Sequence, residues 1–424
     1  MLALYTILIH ATAFGLQFAQ FFSPKLKQFV AGRKETYRIL SEKLDPNKET
    51  VWFHCASLGE FEQGFPIMQE VKTKFPQYQL VISFFSPSGY ENKKNTPIAD
   101  AVVYLPLDTK KNAVKFIERL NPVVSIFIKY EIWPNYLNTL KKKNLKTILV
   151  SGVFRKNQLF FKSYGSFMRK SLSTFDHFFV QEENSEALLQ SIQLNNITIS
   201  GDTRFDRVSH QIEINNRLDF MDAFLGQTYG VCIVCGSTWI EDEEVLLAYI
   251  NKAPSSIKFV IAPHKIETKL ILQFQKKLKR KSSVRYSEFK TGASTESSLA
   301  KTNVLIVDTV GFLTKIYSYA DIAYVGGAMG TSGLHNILEP ATFGVPVIIG
   351  KEYSKFPEAS KLRSLAGLFS VSTKEECTTI LNKLADNSSF RNKTGMICGH
   401  WINSNTGATK IVVQYLIDTI FPKN

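Results

Sequence analysis

A carboxylate in the first half of the chain stands where a general base could work. Glu60 follows an apolar run, Val51–Cys55, and a short turn of small residues that includes Ser57 and Gly59. A hydroxyl group is a poor nucleophile until a base takes its proton, and the first turn of a helix favours the ionised form of a carboxyl group. The same spacing also fits a glutamate that only stabilises its own helix. The residue types alone therefore leave both roles open for Glu60, and Ser57 and Gly59 either line a site or simply form the turn.

A second turn, in the other half of the chain, has the composition of a phosphate-binding site. The pair Gly326-Gly327 follows a short apolar run, and polar side chains come soon after it, at His335, Asn336 and Glu339. Backbone amides at adjacent glycines can approach a phosphate without obstruction from side chains. A helix predicted to begin near His335 would direct its positive end to the same place. A capping or core histidine is the alternative for His335.

Short apolar segments alternate with helical segments in both halves of the chain, which is typical of a parallel sheet covered on both faces. In the first half the predicted strands are Glu49–Cys55, Gln79–Phe85, Ala101–Leu105, Val123–Ile128, Lys146–Val150 and His177–Val180, and Ile197–Ser200 then leads into residues 201–206. In the second half they are Gly230–Cys235, Lys258–Ile261, Val304–Val307, Ile322–Val325 and Val345–Ile349. The sequence therefore predicts two doubly wound α/β domains. Such sheets bind ligands at the carboxyl ends of their strands, where both turns lie, which predicts a site in a cleft between the domains.

A chain of 424 residues exceeds what one hydrophobic core usually supports, in agreement with two domains. The predicted organisation is a hydrophobic helix over residues 1–24, a first domain over 25–206, a linker over 207–228, a second domain over 229–405, and a C-terminal helix over 406–424 that packs back. The five cysteines are scattered and odd in number, which argues against a disulfide framework. No cofactor or metal is expected, because no cluster of His, Cys and Asp has metal-ligand spacing.

The N-terminal segment indicates where in the cell the protein is located. Residues 1–24 carry no charge and are mostly apolar, and Lys25 and Lys27 follow them. About 20 apolar residues can span a bilayer, and positive charges on the downstream side alone place the body of the protein in the cytoplasm. A membrane anchor or interfacial helix is the main prediction. A cleaved signal peptide and a helix packed on the first domain are the alternatives.

The formal net charge of +14 implies an acidic partner, such as nucleic acid, an anionic membrane or a phosphorylated substrate. The sequence carries no RNP, zinc-finger or helix-turn-helix signature, which disfavours a nucleic-acid-binding module. Basic pairs fall mostly in the first half, as at Lys110-Lys111 and Arg169-Lys170. Such pairs would attract a phosphorylated lipid in an anionic leaflet, although solubility alone explains any one of them.

Seven motifs, in their order and spacing, resemble the bacterial 3-deoxy-D-manno-octulosonic acid (Kdo) transferases of lipopolysaccharide assembly. The motifs are WFHCASLGE (52–60), YEIWPN (130–135), GDTRFD (201–206), GSTWIEDEE (236–244), APHKIE (262–267), DTVGFL (308–313), and VGGA followed by GLHNILEPATFGVPVIIG (325–350). The resemblance covers nearly the whole chain. It implies an inverting glycosyltransferase of the GT-B fold, in which an acceptor-binding and a donor-binding Rossmann-like domain face a cleft. It also implies attachment to the bacterial inner membrane, with the catalytic domains on the cytoplasmic side.

The resemblance implies roles for residues in the first half. It makes Glu60 the catalytic base and gives substrate contacts to Glu131, Trp133 and Asn135, with core packing as the alternative for Trp133. The family pattern usually has an acidic residue two positions before Glu131, where this chain has Lys129. No acidic pair is therefore expected here, and Glu131 is expected to position the substrate.

The resemblance also implies a donor-nucleotide pocket in the second half. Its expected members are Ser237, Thr238, His264, Lys265, Asp308, Gly311, Gly326, Gly327, His335, Asn336 and Glu339. Glu339 would accept hydrogen bonds from ribose hydroxyls, and His335 or Asn336 would contact phosphate or the Kdo carboxylate. The family usually has an arginine just before His264, where this chain has Pro263. Arg204 stands where the family often has lysine and would retain one cation for the anionic substrate, with a surface ion pair as the alternative.

The function that the resemblance implies is transfer of Kdo from CMP-Kdo to lipid IVA, the phosphorylated precursor of lipid A. The expected partners are that donor, that acceptor and an anionic membrane surface, without nucleic acid. An alternative with the same fold is another nucleotide-sugar enzyme, a glycosyltransferase or epimerase that uses a UDP-sugar. A basic, non-enzymatic module that binds lipid or nucleic acid is a third alternative, for which the sequence offers no motif.

Overall fold

The structure, a computed structural model, describes residues 2–226, 229–279 and 282–421. Residue 1 of the predicted anchor, residues 227–228 of the predicted linker and residues 422–424 of the predicted C-terminal segment lie outside the described residues. The chain forms two compact units, one of Met1–Arg207 with Asn405–Asn424, the other of Val208–Ser404. Each unit is built on one parallel sheet of seven strands.

The first unit contains the first seven strands of the chain. They are β1 Thr50–Cys55, β2 Gln79–Phe84, β3 Ala101–Tyr104, β4 Pro122–Ile128, β5 Lys146–Gly152, β6 His177–Val180 and β7 Ile197–Ile199. Its helices are α1 Leu2–Ala19, α2 Pro24–Lys43, α3 Leu58–Lys74, α4 Pro87–Lys93, α5 Lys110–Leu120, α6 Pro134–Lys142, α7 Ser166–Leu172, α8 Glu183–Gln190 and α9 Thr203–His210, with 3₁₀ turns at Leu159–Phe161 and Ser163–Gly165. The strand order is β3-β2-β1-β4-β5-β6-β7.

The central strands of this sheet are apolar because both of their faces are covered. All six residues of β1 are buried, and alternate side chains enter different cores, with Trp52 in one and Phe53 in the other. The parallel register pairs Phe53 with Ile126 of β4. The two strands therefore end side by side, and the turns that carry Glu60 and Glu131 are neighbours.

The second unit contains the other seven strands. They are β8 Val231–Thr238, β9 Ile257–Pro263, β10 Ser283–Arg285, β11 Val304–Ile306, β12 Ile322–Val325, β13 Val347–Ile349 and β14 Leu368–Ser370. Its helices are α10 Asp219–Leu225, α11 Ile240–Ile250, α12 Thr268–Lys277, α13 Tyr286–Lys290, α14 Glu296–Lys301, α15 Leu313–Ile316, α16 Leu338–Thr342, α17 Pro357–Ser364, α18 Lys374–Asp386 and α19 Ser388–Ser404, with a 3₁₀ turn at Tyr317–Tyr319. The strand order is β10-β11-β9-β8-β12-β13-β14, and the last helix, α20 Ala408–Thr419, returns to the first unit.

Both sheets are doubly wound. The first strand of each unit lies in the middle of its sheet, and the chain builds one side before it crosses to the other. The winding therefore reverses between β1 and β4 in the first unit and between β8 and β12 in the second. These topological switch points are where open α/β sheets bind ligands. The predicted pair of Rossmann-like domains, the GT-B fold class, is confirmed.

The predicted linker over residues 207–228 is only partly a connection. Helix α10 lies within it and buries Phe220, Met221 and Phe224 in the core of the second unit. These residues share one face because positions three and four apart are neighbours on a helix, as Met221 and Phe220 are to Phe224. The helix has only seven residues, which is too short for its apolar period to stand out from the polar residues around it.

The N-terminal segment forms α1, and one of its side chains is tied to the first unit. The hydroxyl of Tyr5 donates a hydrogen bond of 2.7 Å to Asp108 Oδ2. Large apolar side chains elsewhere on the helix are exposed, including Phe14 at 68% and Phe18 at 57%. Among the described residues, no helix combines the length and the hydropathy that are needed to cross a bilayer.

Candidate active site

Glu60 lies in the first turn of α3, and both oxygens of its carboxylate have partners. Oε2 accepts a hydrogen bond of 2.9 Å from the backbone N–H of Ser57 and another from Ser57 Oγ, whereas Oε1 lies 3.4 Å from Lys129 Nζ. Burial would raise the pKa of Glu60, but the Ser57 hydrogen bond and the Lys129 charge outweigh it and hold the pKa below its usual value. The side chain is 14% exposed, and a Cβ on Gly59 would meet no atom closer than 3.8 Å. The carboxylate is thus ionised at neutral pH beside an open part of the turn.

Lys129 is the first residue after β4, and no local pattern in the sequence indicates its contact with Glu60. The two residues are far apart in the chain and meet only because β1 and β4 are neighbours in the sheet. The resemblance to Kdo transferases implies an acidic residue at position 129, where this chain has lysine. The structure places the positive charge of Lys129 against the carboxylate of Glu60, the candidate base.

His54, Trp133 and Glu131 form a hydrogen-bonded group beside this turn. The indole N–H of Trp133 is shared between His54 Nε2, at 3.0 Å, and Glu131 Oε2, at 3.2 Å. His54 is fully buried, and its Nδ1 lies 2.9 Å from Ser83 Oγ. The ring of Trp133 also packs 4.7 Å from that of Phe85. Sequence reasoning missed His54, although a histidine inside an apolar strand requires a buried polar partner.

Asn135 and Arg204, both predicted to contact substrate, have structural partners instead. Asn135 is buried, and its Nδ2 donates a hydrogen bond of 2.6 Å to the backbone oxygen of Asp108. Its backbone N–H donates to Asp108 Oδ2 at 3.1 Å, so this asparagine supports the start of α6. Arg204 forms an ion pair of 2.7 Å with Asp202, whose side chain is 8% exposed. Arg204 therefore forms the ion pair that was the alternative to a substrate contact.

In the second unit, a buried carboxylate holds the Gly326-Gly327 turn. Asp242, in the first turn of α11, accepts hydrogen bonds at Oδ2 from the backbone N–H of Gly327, at 2.8 Å, and of Trp239, at 2.9 Å. Its Oδ1 accepts a hydrogen bond of 2.9 Å from the hydroxyl of Tyr324. A Cβ on Gly326 would lie 2.8 Å from Asp242 Oδ2, and Gly327 has a φ of +94°. Sequence reasoning missed Asp242, although a carboxylate three residues after the first residue of a turn, here Trp239, has the spacing of a helix cap.

The backbone amides of Gly326 and Gly327 are not available to bind a phosphate, contrary to the prediction from the sequence. The N–H of Gly327 donates to Asp242, and that of Gly326 donates to the backbone oxygen of Gly236 at 2.9 Å. Both amides are therefore used inside the unit, and the glycines are required by space and by backbone conformation. The helix predicted to begin near His335 also begins later, at Leu338, and α16 has only five residues. A single short turn adds little dipole, so neither feature makes an anion site.

Trp239, His264 and His335 stack on one another at the carboxyl ends of β8, β9 and β12. The rings of Trp239 and His264 lie 4.6 Å apart, and those of His264 and His335 lie 4.4 Å apart. The indole N–H donates a hydrogen bond of 3.2 Å to His335 Nε2. Burial, with a smaller effect of His264, lowers the pKa of His335 to about 4, and burial with the Lys265 charge lowers that of His264. Both imidazoles are neutral at pH 7, and Lys265 Nζ, 5.1 Å from the Trp239 ring, supplies the positive charge.

Glu339 has both carboxylate oxygens directed by neighbouring side chains. Asn336 Nδ2 donates to Oε1 at 3.1 Å, and Thr314 Oγ1 donates to Oε2 at 3.0 Å. Asn336 Oδ1 in turn accepts a hydrogen bond of 3.1 Å from the backbone N–H of Leu338. Asn336 therefore orients Glu339 and caps α16, and the carboxylate keeps a fixed orientation.

The remaining predicted donor residues differ in their surroundings. Ser237 has a φ of +54°, a strained conformation at the end of β8. Thr238 is buried and donates to Glu243 at 3.0 Å, and Asp308 accepts a hydrogen bond of 2.8 Å from the backbone N–H of Ser287. Gly311 has a φ of +98° and open space around it. In the part of the chain that the structure describes, no three His, Cys, Asp or Glu side chains lie close enough together to hold a metal ion.

Comparison with known proteins shows a similarity to one family of glycosyltransferases. The family model for 3-deoxy-D-manno-octulosonic-acid transferases (kdotransferases) matches residues 31–207. The 3-deoxy-D-manno-octulosonic acid transferase of Haemophilus influenzae is 25% identical over 412 residues, which are 94% of this chain and 92% of that protein. The chain is therefore similar to Kdo transferases over most of its length. A bifunctional glycosyltransferase/methyltransferase of Fusobacterium nucleatum is 26% identical over 84% of this chain, and the chain spans 55% of the length of that relative.

Among solved structures, this chain is similar to the UDP-GlcNAc 2-epimerase of Neisseria meningitidis bound to UDP-GlcNAc. The TM-score is 0.61 at 14% identity, over 87% of this chain and 100% of the epimerase chain. At this identity the likeness shows the fold alone. The match to the Kdo transferase model includes Glu60, Lys129 and Glu131, so the turns after β1 and β4 lie in the part of the chain that the model covers.

Proposed function

We propose that this protein transfers Kdo from CMP-Kdo to a hydroxyl group of lipid IVA, with inversion at the anomeric carbon. Similarity to the Kdo transferases supports the choice of sugar. The observation that carries the proposal is the Glu60 carboxylate, which is ionised, partly exposed and held at the end of the central strand β1. A general base needs these three properties, because it must be unprotonated, reachable and fixed in place.

In the proposed reaction, Glu60 takes the proton of the acceptor hydroxyl while the hydroxyl oxygen attacks the anomeric carbon of Kdo. The new carbon–oxygen bond forms on the face opposite the phosphate, and the bond from the anomeric carbon to the phosphate oxygen breaks. CMP leaves with the bonding electrons, and the proton stays on Glu60 until solvent removes it. General-base assistance of this kind is typically worth ~10²–10⁴-fold in rate.

The group of His54, Trp133 and Glu131 is proposed to orient the acceptor. Glu131 is 18% exposed, and a fixed carboxylate can accept hydrogen bonds from sugar hydroxyls next to the one that reacts. The indole N–H holds this carboxylate, and buried His54 holds the indole. The group is therefore ordered before substrate arrives, which lowers the entropic cost of alignment.

The second unit is proposed to bind the donor. Lys265 would meet the negative charge of CMP-Kdo, and neutral His264 and His335 would hydrogen-bond its oxygen atoms. Glu339, oriented by Asn336, would accept hydrogen bonds from the ribose hydroxyls. These contacts lie at the carboxyl ends of the strands, as expected for a nucleotide site in a doubly wound sheet. Charge on the departing phosphate would be stabilised by groups that are already in place.

Attachment to the inner membrane through α1, on the cytoplasmic side, is part of the same proposal. The exposed apolar side chains of α1, such as Phe14 and Phe18, have the character of an interfacial helix. Lys25 and Lys27 follow it, and each basic residue near an anionic leaflet contributes ~1 kcal/mol. A lipid acceptor would then diffuse in the same plane as the enzyme.

The proposal is tested by Glu60→Gln in an assay with CMP-Kdo and lipid IVA, followed by mass spectrometry of the lipid. We expect a loss of ~10²–10⁴-fold in rate with normal CMP binding. Glu62→Gln is the matched control, since Glu62 is also in α3 but pairs with Lys93, at 3.3 Å, and Arg207, at 2.8 Å. Full activity of Glu60→Gln would reject the base. Protection against heat by UDP and not by CMP would favour the UDP-sugar alternative.

A further inference from the structure

We propose that Lys129 is a positioning residue that keeps the Glu60 carboxylate ionised and aligned for proton transfer. The proposal rests on the role of Glu60 as the base. Lys129 touches neither substrate in this scheme and acts through Glu60 alone. It occupies the position where the resemblance to Kdo transferases implies an acidic residue and this chain has lysine.

The two oxygens of the Glu60 carboxylate contact different residues. Ser57 occupies Oε2 with two hydrogen bonds, whereas Lys129 Nζ lies 3.4 Å from Oε1. A carboxylate oxygen has two lone pairs, so one cation at this distance leaves Oε1 able to accept a hydroxyl proton. Since Oε2 is held by the turn, we assign Oε1 as the atom that takes the proton. The pair of contacts fixes the rotation of the carboxylate.

The backbone of Lys129 supports a specific role. Its φ is +67°, in the left-handed region that residues other than glycine seldom adopt. Its backbone N–H donates a hydrogen bond of 2.8 Å to Val150, so the residue remains tied to the end of β5. Strained conformations of this kind persist only where the surrounding structure holds them, and they cluster at functional sites.

The effect of the Lys129 charge on Glu60 can be separated from the effects of the other charged groups nearby. Of the neighbouring acidic groups, Glu62 on α3 is paired with other cations, and Glu131 is held by the indole of Trp133. The thiol of Cys55, at the end of β1, has its pKa raised by burial and stays neutral. Burial raises the pKa of Glu60, and Ser57 and Lys129 lower it. Removing the Lys129 charge alone therefore raises the pKa of Glu60.

The test compares pH–rate profiles of Lys129→Gln, Lys129→Asn and Lys129→Arg. The base works only when ionised, so the rate falls as pH drops through the pKa of Glu60. We expect this fall at higher pH in the two neutral variants and at the wild-type position in Lys129→Arg. Asparagine is included because it tolerates the left-handed backbone, which protects the fold. Lys72→Gln is the matched control, since Lys72 is 33% exposed and pairs with Asp100 elsewhere in the first unit.

A fall in rate at an unchanged pH in both neutral variants would overturn the role of Lys129 while leaving Glu60 as the base. Full activity of Glu60→Gln would instead overturn the base itself, so the two failures are distinguishable. Carbon-13 NMR titration of the Glu60 carboxyl, assigned by its absence in Glu60→Gln, measures the same pKa without activity. An unchanged titration in Lys129→Asn would also refute the proposal.

Discussion

Replacement of Asp242 by leucine tests whether one buried carboxylate holds the turn of the candidate donor site. Leucine has the same branching at Cγ as aspartate, with two methyl groups in place of the two oxygens, so the substitution removes the acceptors. Three donors then lose their partner, the backbone N–H groups of Gly327 and Trp239 and the hydroxyl of Tyr324. Asp242 is fully buried, so water cannot take its place.

The magnitude follows from these three contacts. An unsatisfied buried donor costs about 1–3 kcal/mol. Burial of the carboxylate is itself unfavourable, as the raised pKa of Asp242 indicates, and leucine removes this cost. We therefore expect the lower end of the range for the three donors, about 3 kcal/mol. For a unit the size of Val208–Ser404, each kcal/mol corresponds to about 2–4 °C, which predicts a fall in Tm of about 6–12 °C.

The assay is thermal unfolding by circular dichroism, with calorimetric titration of CMP below the transition. Asp242→Asn is the control. Its amide oxygen can face the two backbone N–H groups while its NH₂ donates to the hydroxyl of Tyr324, so all three contacts survive in altered form. We expect it to cost less than about 1.5 kcal/mol. A wild-type Tm for the leucine variant would refute the hydrogen-bond reasoning, and equal losses in both variants would show that charge, not hydrogen bonding, holds the turn.

Three further predictions concern the glycine turn, the C-terminal helix and pH. Gly327→Ala is expected to weaken CMP binding in calorimetry, because φ is +94° and the new Cβ would meet a backbone oxygen of the following loop. Asp206→Ala removes the acceptor of the backbone N–H and hydroxyl of Thr409, both at 2.8 Å, so limited proteolysis should cut faster near residues 405–407. His335 has a pKa of about 4 in the folded chain against an ordinary 6.5, so the unfolded chain binds its proton first and Tm should fall as pH drops from 6.5 to about 4. His335→Gln keeps an acceptor for Trp239 and should flatten that fall, and an identical pH dependence in this variant would contradict the assignment.

Most of the strands could be predicted because the pattern of a buried parallel strand lies in residues that are adjacent in the sequence. Its residues form a short apolar run bounded by turn residues, as at His177–Val180, which the sequence and the structure place identically. The edge strands β10 and β14 were missed, since three residues carry too little pattern to be recognised. Helix α2, Pro24–Lys43, was missed as well, although Pro24 at its first turn is a start signal.

The sequence by itself determined the resemblance to Kdo transferases, the two doubly wound units and the place of Glu60 at the start of α3, because each depends on residues that are close together in the chain. Only the tertiary structure decided that Lys129 faces Glu60, that Asp242 takes the amide of Gly327, and that Asn135 turns inward. A buried polar group bonds to whatever partner the fold brings within reach. Such partners come from strands and helices far apart in the sequence, and no local pattern records which of them will meet.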